Sequence, residues 1–127
     1  MKKRTTSGSP WEPLYGISRG VRTGNRIEIA GTAPIPADAG PVAKTAYEQM
    51  LRCGEIALAA LDDLGGSVED VVRTRMFITD VADADEIGRA HLELFGEAAP
   101  AATMVVVAGL NDAAWKVEIE VEAEAGD

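Results

Sequence analysis

Cysteine and histidine are nearly missing from this chain: Cys53 and His91 are the only residues of each kind. A single cysteine excludes an internal disulfide framework and fits a reducing compartment. One cysteine with one histidine cannot build a zinc site of the usual nitrogen and sulfur kind. Carboxylates alone can hold magnesium or calcium, but no calcium-loop spacing occurs, so no metal and no cofactor is expected. No run approaches the roughly 20 apolar residues that span a bilayer. Positive charge is also scarce, with 12 Lys and Arg against 21 Asp and Glu, a formal net charge of -9. A nucleic-acid binder needs a basic patch to neutralise phosphates. Here Lys2, Lys3, Arg4 and Arg19 lie near the start and the other basic residues are scattered. Neither nucleic acid nor membrane is an expected partner. Nucleophile elbows and phosphate loops are missing too.

What is present is an ordinary globular composition, 46% apolar and 26% charged over 127 residues, which suits one domain spanning 1–127. Met1-Lys2-Lys3-Arg4 is followed by Thr5-Thr6-Ser7-Gly8-Ser9-Pro10, where a signal peptide would need an apolar region. Residues 1–15 are therefore expected to form a loose N-terminal segment, and the protein to be cytoplasmic. Cys53 falls within a helical pattern and reads as a packed small hydrophobe rather than a nucleophile.

Two short strands are predicted at Gly16 to Arg22 and Arg26 to Gly31, joined by a Thr23-Gly24-Asn25 turn that tolerates positive φ. A Pro-rich loop, Thr32 to Pro41, follows. From Val42 to Leu64 the residues Tyr47, Met50, Leu51, Gly54, Leu58, Leu61 and Leu64 recur at steps of three and four. That is an amphipathic helix, ended by Gly65-Gly66. A strand at Val71 to Thr79 is expected to put Val72, Thr74, Met76 and Ile78 on one side. Asp83 with Glu86 resembles a capping box opening a second helix, with Ile87, Ala90, His91, Leu94 and Phe95 in one stripe. Strands at Ala102 to Ala108 and Trp115 to Ala123 follow, and Gly109-Leu110-Asn111-Asp112 between them suggests a hairpin. The order β-β-α-β-α-β-β describes an α/β chain with one mixed sheet and both helices on one face.

The uncovered face is the informative one. Glu118, Glu120 and Glu122 alternate with Val117, Ile119 and Val121, while Arg73, Arg75 and Phe77 share the far side of the third strand. Such a face is either solvated or a subunit interface, and with Phe77, Met104 and Val106 among the charges it suits an interface enclosing a small ligand. A partly desolvated glutamate there has a raised pKa and serves as a base near neutral pH. His91, the one side chain that titrates near pH 7 without perturbation, is either a satisfied half-buried residue or a proton carrier.

Four segments in register, GVRTGNRIEIAGTAPI, VVRTRMFITDVAD, PAATMVVVAGL and KVEIEVEAEA, resemble the Rid/YjgF family over about residues 16–124. The resemblance implies a chorismate-mutase-like fold, a homotrimer whose sheets line a central barrel, and ligand clefts between neighbouring subunits. The best-known members hydrolyse reactive 2-imino or 2-enamino acids to 2-oxo acids and ammonia. Position by position, Glu120 matches the glutamate that positions the hydrolytic water, and Gly31 is kept. Other positions depart. The arginine that grips the substrate carboxylate is replaced by Ala102, the usual cysteine two residues on by Met104, the tyrosine before the first strand by Ile17, and the asparagine of the second helix by Gly88. The Ser-Gly-Gln segment reads Ala30-Gly31-Thr32.

The expected function is therefore action on a small enamine, imine or tautomerising metabolite in an inter-subunit cleft, with poor activity on simple 2-imino acids. The alternative is a non-catalytic metabolite-binding or protein-interacting trimer. Glu120 and His91 are the candidate catalytic groups; Arg75, Gly31, Thr32, Ala102, Thr103, Met104 and Ile17 are the candidate substrate-binding positions. Arg75 either enters the cleft or forms a salt bridge with Glu118 or Glu120. Ribonuclease activity, sometimes attached to this family, is disfavoured by the acidic charge.

Overall fold

The computed structural model describes residues 2–126. Chain order is β1 (Lys2–Thr5), α1 (Trp11–Tyr15), β2 (Gly20–Thr23), β3 (Arg26–Thr32), α2 (Ala46–Asp63), β4 (Val71–Ile78), α3 (Ala84–Phe95), β5 (Ala101–Val106) and β6 (Val117–Glu124). The six strands form one mixed sheet in the order β1-β2-β3-β6-β4-β5. This is the α+β architecture that the sequence pattern predicts, with one strand and one short helix added at the start.

The N-terminal segment corrects the expectation of a loose tail. Lys2–Thr5 pairs antiparallel with Gly20–Thr23, placing Thr5 opposite Gly20. Thr5 also donates its hydroxyl to Asp63 on α2. Thr6 and Ser7 hydrogen-bond the buried Glu12 carboxylate, the latter through its Oγ at 2.5 Å and its N–H at 3.1 Å. Polar residues that read as disordered in one dimension satisfy one another here, because the β2 edge offers unpaired backbone groups.

α2 begins at Ala46 rather than Val42. Thr45 caps it, its hydroxyl oxygen accepting the Glu48 N–H at 3.1 Å. At the other end Gly65, at φ +86°, and Gly66 return their N–H groups to Asp62 and Leu61, both at 2.9 Å. The buried stripe runs through Met50, Cys53, Gly54, Ala57 and Leu61. α3 buries Ile87, Ala90 and Phe95. Both helices cover the sheet face made by Ile27, Ile29, Met76, Ile78, Val117, Ile119 and Val121, and these side chains form one core. Cys53 lies inside it, where burial pushes the thiol far above its ordinary range and leaves it inert. Asp83 makes no side-chain cap. Asp80 accepts the Ala82 N–H at 2.9 Å instead, holding a 3-10 turn at Val81–Asp83 that leads into α3.

Two strand expectations need revision. β5 and β6 form no hairpin: β5 runs parallel to β4, and β6 lies antiparallel between β3 and β4. The α3 crossover returns the chain in the direction of β4, which produces a parallel pair and carries β5 to the sheet edge. The β4–β6 ladder shifts register between Val71 and Arg73. A bulge therefore turns Val72 outward, 49% exposed, while Val71 takes its place in the core. Among the described residues no helix is long and apolar enough to cross a membrane.

Candidate functional site

The strict alternation of β6 sends Glu118, Glu120 and Glu122 to the face away from the helices. Cross-strand pairing sets Phe77, Arg75 and Arg73 opposite them in that order. The expected salt bridge of Arg75 with Glu120 is present, and a shorter one with Glu122 joins it. Arg75 donates Nη1 to Glu122 at 2.5 Å and lies 3.8 Å from Glu120. Arg26 adds a second contact to Glu122 at 2.7 Å. The Arg75 hydrogen bond holds the Glu122 carboxyl below the usual carboxylate range, and the same bond raises Arg75.

Glu120, by contrast, receives no hydrogen bond among the described residues. Its carboxylate lines an open depression of about 430 Å³, together with Ser18, Glu28, Ala30, Arg75 and Glu122. Held only by the longer ion pair with Arg75, this carboxylate keeps lone pairs open to a ligand or a proton.

At one end of this face the β3–β6 ladder shifts register between Ile29 and Thr32. Ala30 and Gly31 turn to Arg19 instead: Arg19 O accepts the Ala30 N–H at 2.9 Å, and Arg19 Nη2 donates to Gly31 O at 2.6 Å. Gly31 leaves room for Glu118, since a Cβ on it would lie 2.8 Å from Glu118 Oε1 and that carboxylate would have to swing aside. Burial raises the pKa of Glu118, partly countered by Arg19. Sequence reasoning grouped three strand glutamates together. The fold separates them into a closely ion-paired carboxylate (Glu122), one held only by a 3.8 Å ion pair (Glu120) and a desolvated one (Glu118). Arg19, which organises the bulge, was not among the candidates, and an arginine just before a short strand carries no signal of that role.

The remaining candidates divide between the two faces. Ala102 pairs with Thr74 and Met104 with Met76, so both point to the helix side. Met104 packs against the core rather than among the charges, and Val106, expected beside it, sits opposite Ile78 on the same helix side. Thr103 faces the open side and accepts from Arg73 Nη2 at 2.7 Å. His91 meets the buried Thr74 hydroxyl at 2.8 Å and tilts against Phe95 with ring centroids 5.0 Å apart. Its half-burial lowers its pKa, favouring the neutral ring. Thr32 is fully buried and donates its hydroxyl to Ala30 O at 2.7 Å, leaving its side chain with no route to a ligand. Ile17 is half exposed, its N–H held by Glu12 O at 2.9 Å.

The result is two clusters. Glu118, Glu120, Arg75 and Thr103 occupy the open face; His91, Thr74 and Ala102 occupy the helix side at the β5 edge. One protomer does not bring Glu120 and His91 together.

Comparisons with known proteins agree with this architecture. A family model described as endoribonuclease L-PSP matches residues 9–125. An uncharacterized protein of Streptomyces coelicolor is 39% identical over 124 residues, covering 98% of this chain and 92% of its own length. A RutC family protein of Pyrococcus abyssi is 34% identical over 113 residues, covering 88% of this chain and 87% of its own. The crystal structure of a member of the YjgF/YER057c/UK114 family from Mycobacterium tuberculosis superposes with a TM-score of 0.89 at 33% identity, covering 98% of this chain and all of that one.

Proposed function

The chain belongs to the YjgF family, whose model is described as endoribonuclease L-PSP, and from that premise we propose that it acts on a small enamine, imine or tautomerising metabolite. The reaction takes place in a cleft between the subunits of a homotrimer whose open sheet faces line a central barrel. The observation that carries this reading is Glu120, a carboxylate with no hydrogen-bond donor among the described residues, in an uncovered depression beside an arginine whose shorter contact is to Glu122. The opposed orientation of the two clusters supports the interface. A cleft that uses both Glu120 and the Ala102–His91 edge has to draw them from two protomers.

In imine hydrolysis Glu120 takes a proton from water as the oxygen attacks the imine carbon. The nitrogen gains a proton, and the carbinolamine then expels ammonia as its carbonyl forms. An enamine first receives a proton on carbon, which makes the same imine. His91, neutral and reached from the neighbouring subunit, supplies the second proton-transfer position. Ala102 offers a methyl group where an arginine–carboxylate fork would otherwise form. Simple 2-imino acids therefore lose a charge-assisted contact and are poor substrates.

Glu120→Gln tests the assignment, since it keeps the shape and removes the base. Turnover is expected to vanish while ligand binding persists. Rapid hydrolysis of iminoalanine by the unaltered protein would refute the substrate part, and a monomer in native mass measurements would remove the cleft. The alternative, a non-catalytic metabolite-binding or protein-interacting trimer, rests on the pairing of Glu120 with Arg75 at 3.8 Å, and it predicts no turnover to lose. On either reading RNA is not the substrate, because a chain of net charge -9 repels phosphates. Salt-sensitive RNA cleavage that stays with the protein through several columns would reverse that.

A further inference from the structure

A second depression, of about 420 Å³, lies between the N-terminal segment and α2 and shares no lining residue with the one holding Glu120. Its walls carry two opposite charges that make no close salt bridge among the described residues. Arg19 is half-buried and makes no salt bridge among the described residues. Its Nη2 reaches Gly31 O at 2.6 Å, and its Nε is buried with no hydrogen-bond partner at all. Burial correspondingly pushes its pKa down. Glu12 and Glu118 offset this only through longer-range attraction, and a desolvated guanidinium with no close counter-charge is costly. Asp63, across the depression, accepts the Thr5 hydroxyl but meets no cation among the described residues. The other charged pair on the wall is already used: Arg52 donates Nε to Ile35 O at 2.6 Å and Nη1 to Glu55 at 3.3 Å. Ile56, Ala59 and Ala60 complete the lining with apolar surface.

A free anion receptor, a free cation receptor and an apolar wall in one depression describe a receptor for a zwitterion. We propose that this depression binds a free α-amino acid with a small apolar side chain, its carboxylate on Arg19, its ammonium on Asp63 and its side chain against Ile56, Ala59 and Ala60. A simple carboxylate would answer Arg19 and leave Asp63 unpaired. A phosphate dianion would be repelled by Asp63 and Glu55. The proposal is independent of the chemistry assigned to Glu120, since none of its residues lies in that depression.

The test is a titration of the full-length ¹⁵N-labelled protein with L-valine, acetate and ethylammonium, read by amide chemical shifts. L-Valine is expected to give saturable shifts at Thr6, Ser7, Arg19 and Asp63, with a dissociation constant about tenfold below that of either half-ligand. Arg19→Gln should abolish them. Because Arg19 also holds the Gly31 carbonyl, that variant risks misfolding, and Asp63→Asn keeps an acceptor for Thr5 while removing the charge. Asp63→Asn should weaken L-valine about tenfold and leave acetate binding no weaker than before. The Glu120→Gln protein should titrate like the unaltered one. No saturable shift at those amides up to about 50 mM L-valine, acetate binding as tightly as L-valine, or an Asp63→Asn protein that titrates normally would each overturn the proposal.

Discussion

Ala102→Arg is the perturbation that asks most of the structure. Ala102 is exposed on the edge strand β5, so a long side chain is accommodated without disturbing the core. It leaves the sheet on the Thr74 side, whereas Glu120 leaves it on the Arg75 side. Hydrogen bonds to a charged partner contribute about 1.5–3 kcal/mol. If realised in the transition state, that raises kcat/KM on 2-iminopropanoate about 10- to 150-fold. The assay generates the imine in place with an amino-acid oxidase and follows ammonia release with the oxidase contribution subtracted. A mixing experiment then locates the site. The double variant A102R/E120Q carries the clamp without the base, and the unaltered chain carries the base without the clamp. Neither alone gains activity. When the two are unfolded and refolded together in equal amounts, about a quarter of the interfaces join the introduced arginine of one protomer to Glu120 of the next. The mixture should then recover about a quarter of the A102R activity. Activation of A102R with none in the mixture would show that both groups serve from one protomer and refute the two-protomer cleft. No activation of folded A102R would refute the account of Ala102 as a lost clamp.

Other outcomes follow from the packing and the charges. Gly54→Ala should raise helix propensity by about 1 kcal/mol, yet its Cβ would lie 2.9 Å from Leu94 Cγ and nearer still to both Cδ atoms. Overpacking costs about 1–3 kcal/mol, so the net change is a loss of about 1 kcal/mol, read as a lower urea midpoint at fixed protomer concentration. In a Leu94→Ala background the same substitution should stabilise, and an equal loss in both backgrounds would contradict the packing argument. For His91, burial lowers the folded-state pKa below its unfolded value. Its contribution is therefore fully present above about pH 6.5 and is lost as pH falls toward the folded pKa. Urea midpoints of the unaltered protein should decline more steeply below pH 6.5 than those of His91→Gln, and parallel curves would exclude burial as the cause.

Much of the molecule was legible in one dimension because it depends on local periodicity. The steps of three and four from Tyr47 to Leu64, the alternation of Val117, Ile119 and Val121 with glutamates, and the Gly24-Asn25 turn each dictate an element and its buried face. What failed was non-local. Nothing in Gly109-Leu110-Asn111-Asp112 distinguishes a hairpin from the connection that carries the chain from edge strand β5 to β6 in the sheet interior. That choice is made by the handedness of the α3 crossover and by the vacant place between β3 and β4. Likewise a one-residue bulge moved Val72 from the core to solvent, since side-chain direction reverses with every residue of register.

The candidate site divides along the same line. Sequence by itself determined which residue types were available: three glutamates on one strand, two arginines facing them, an alanine at the start of β5 and a single histidine. Only the tertiary structure decided what each does, because desolvation and ion pairing depend on neighbours far away in the chain. Arg75 selected Glu122 across the ladder, Gly31 made room for Glu118, and Glu120 was left without a donor. The sheet itself set Ala102 and Glu120 on opposite sides, through a strand register that no run of residues encodes alone.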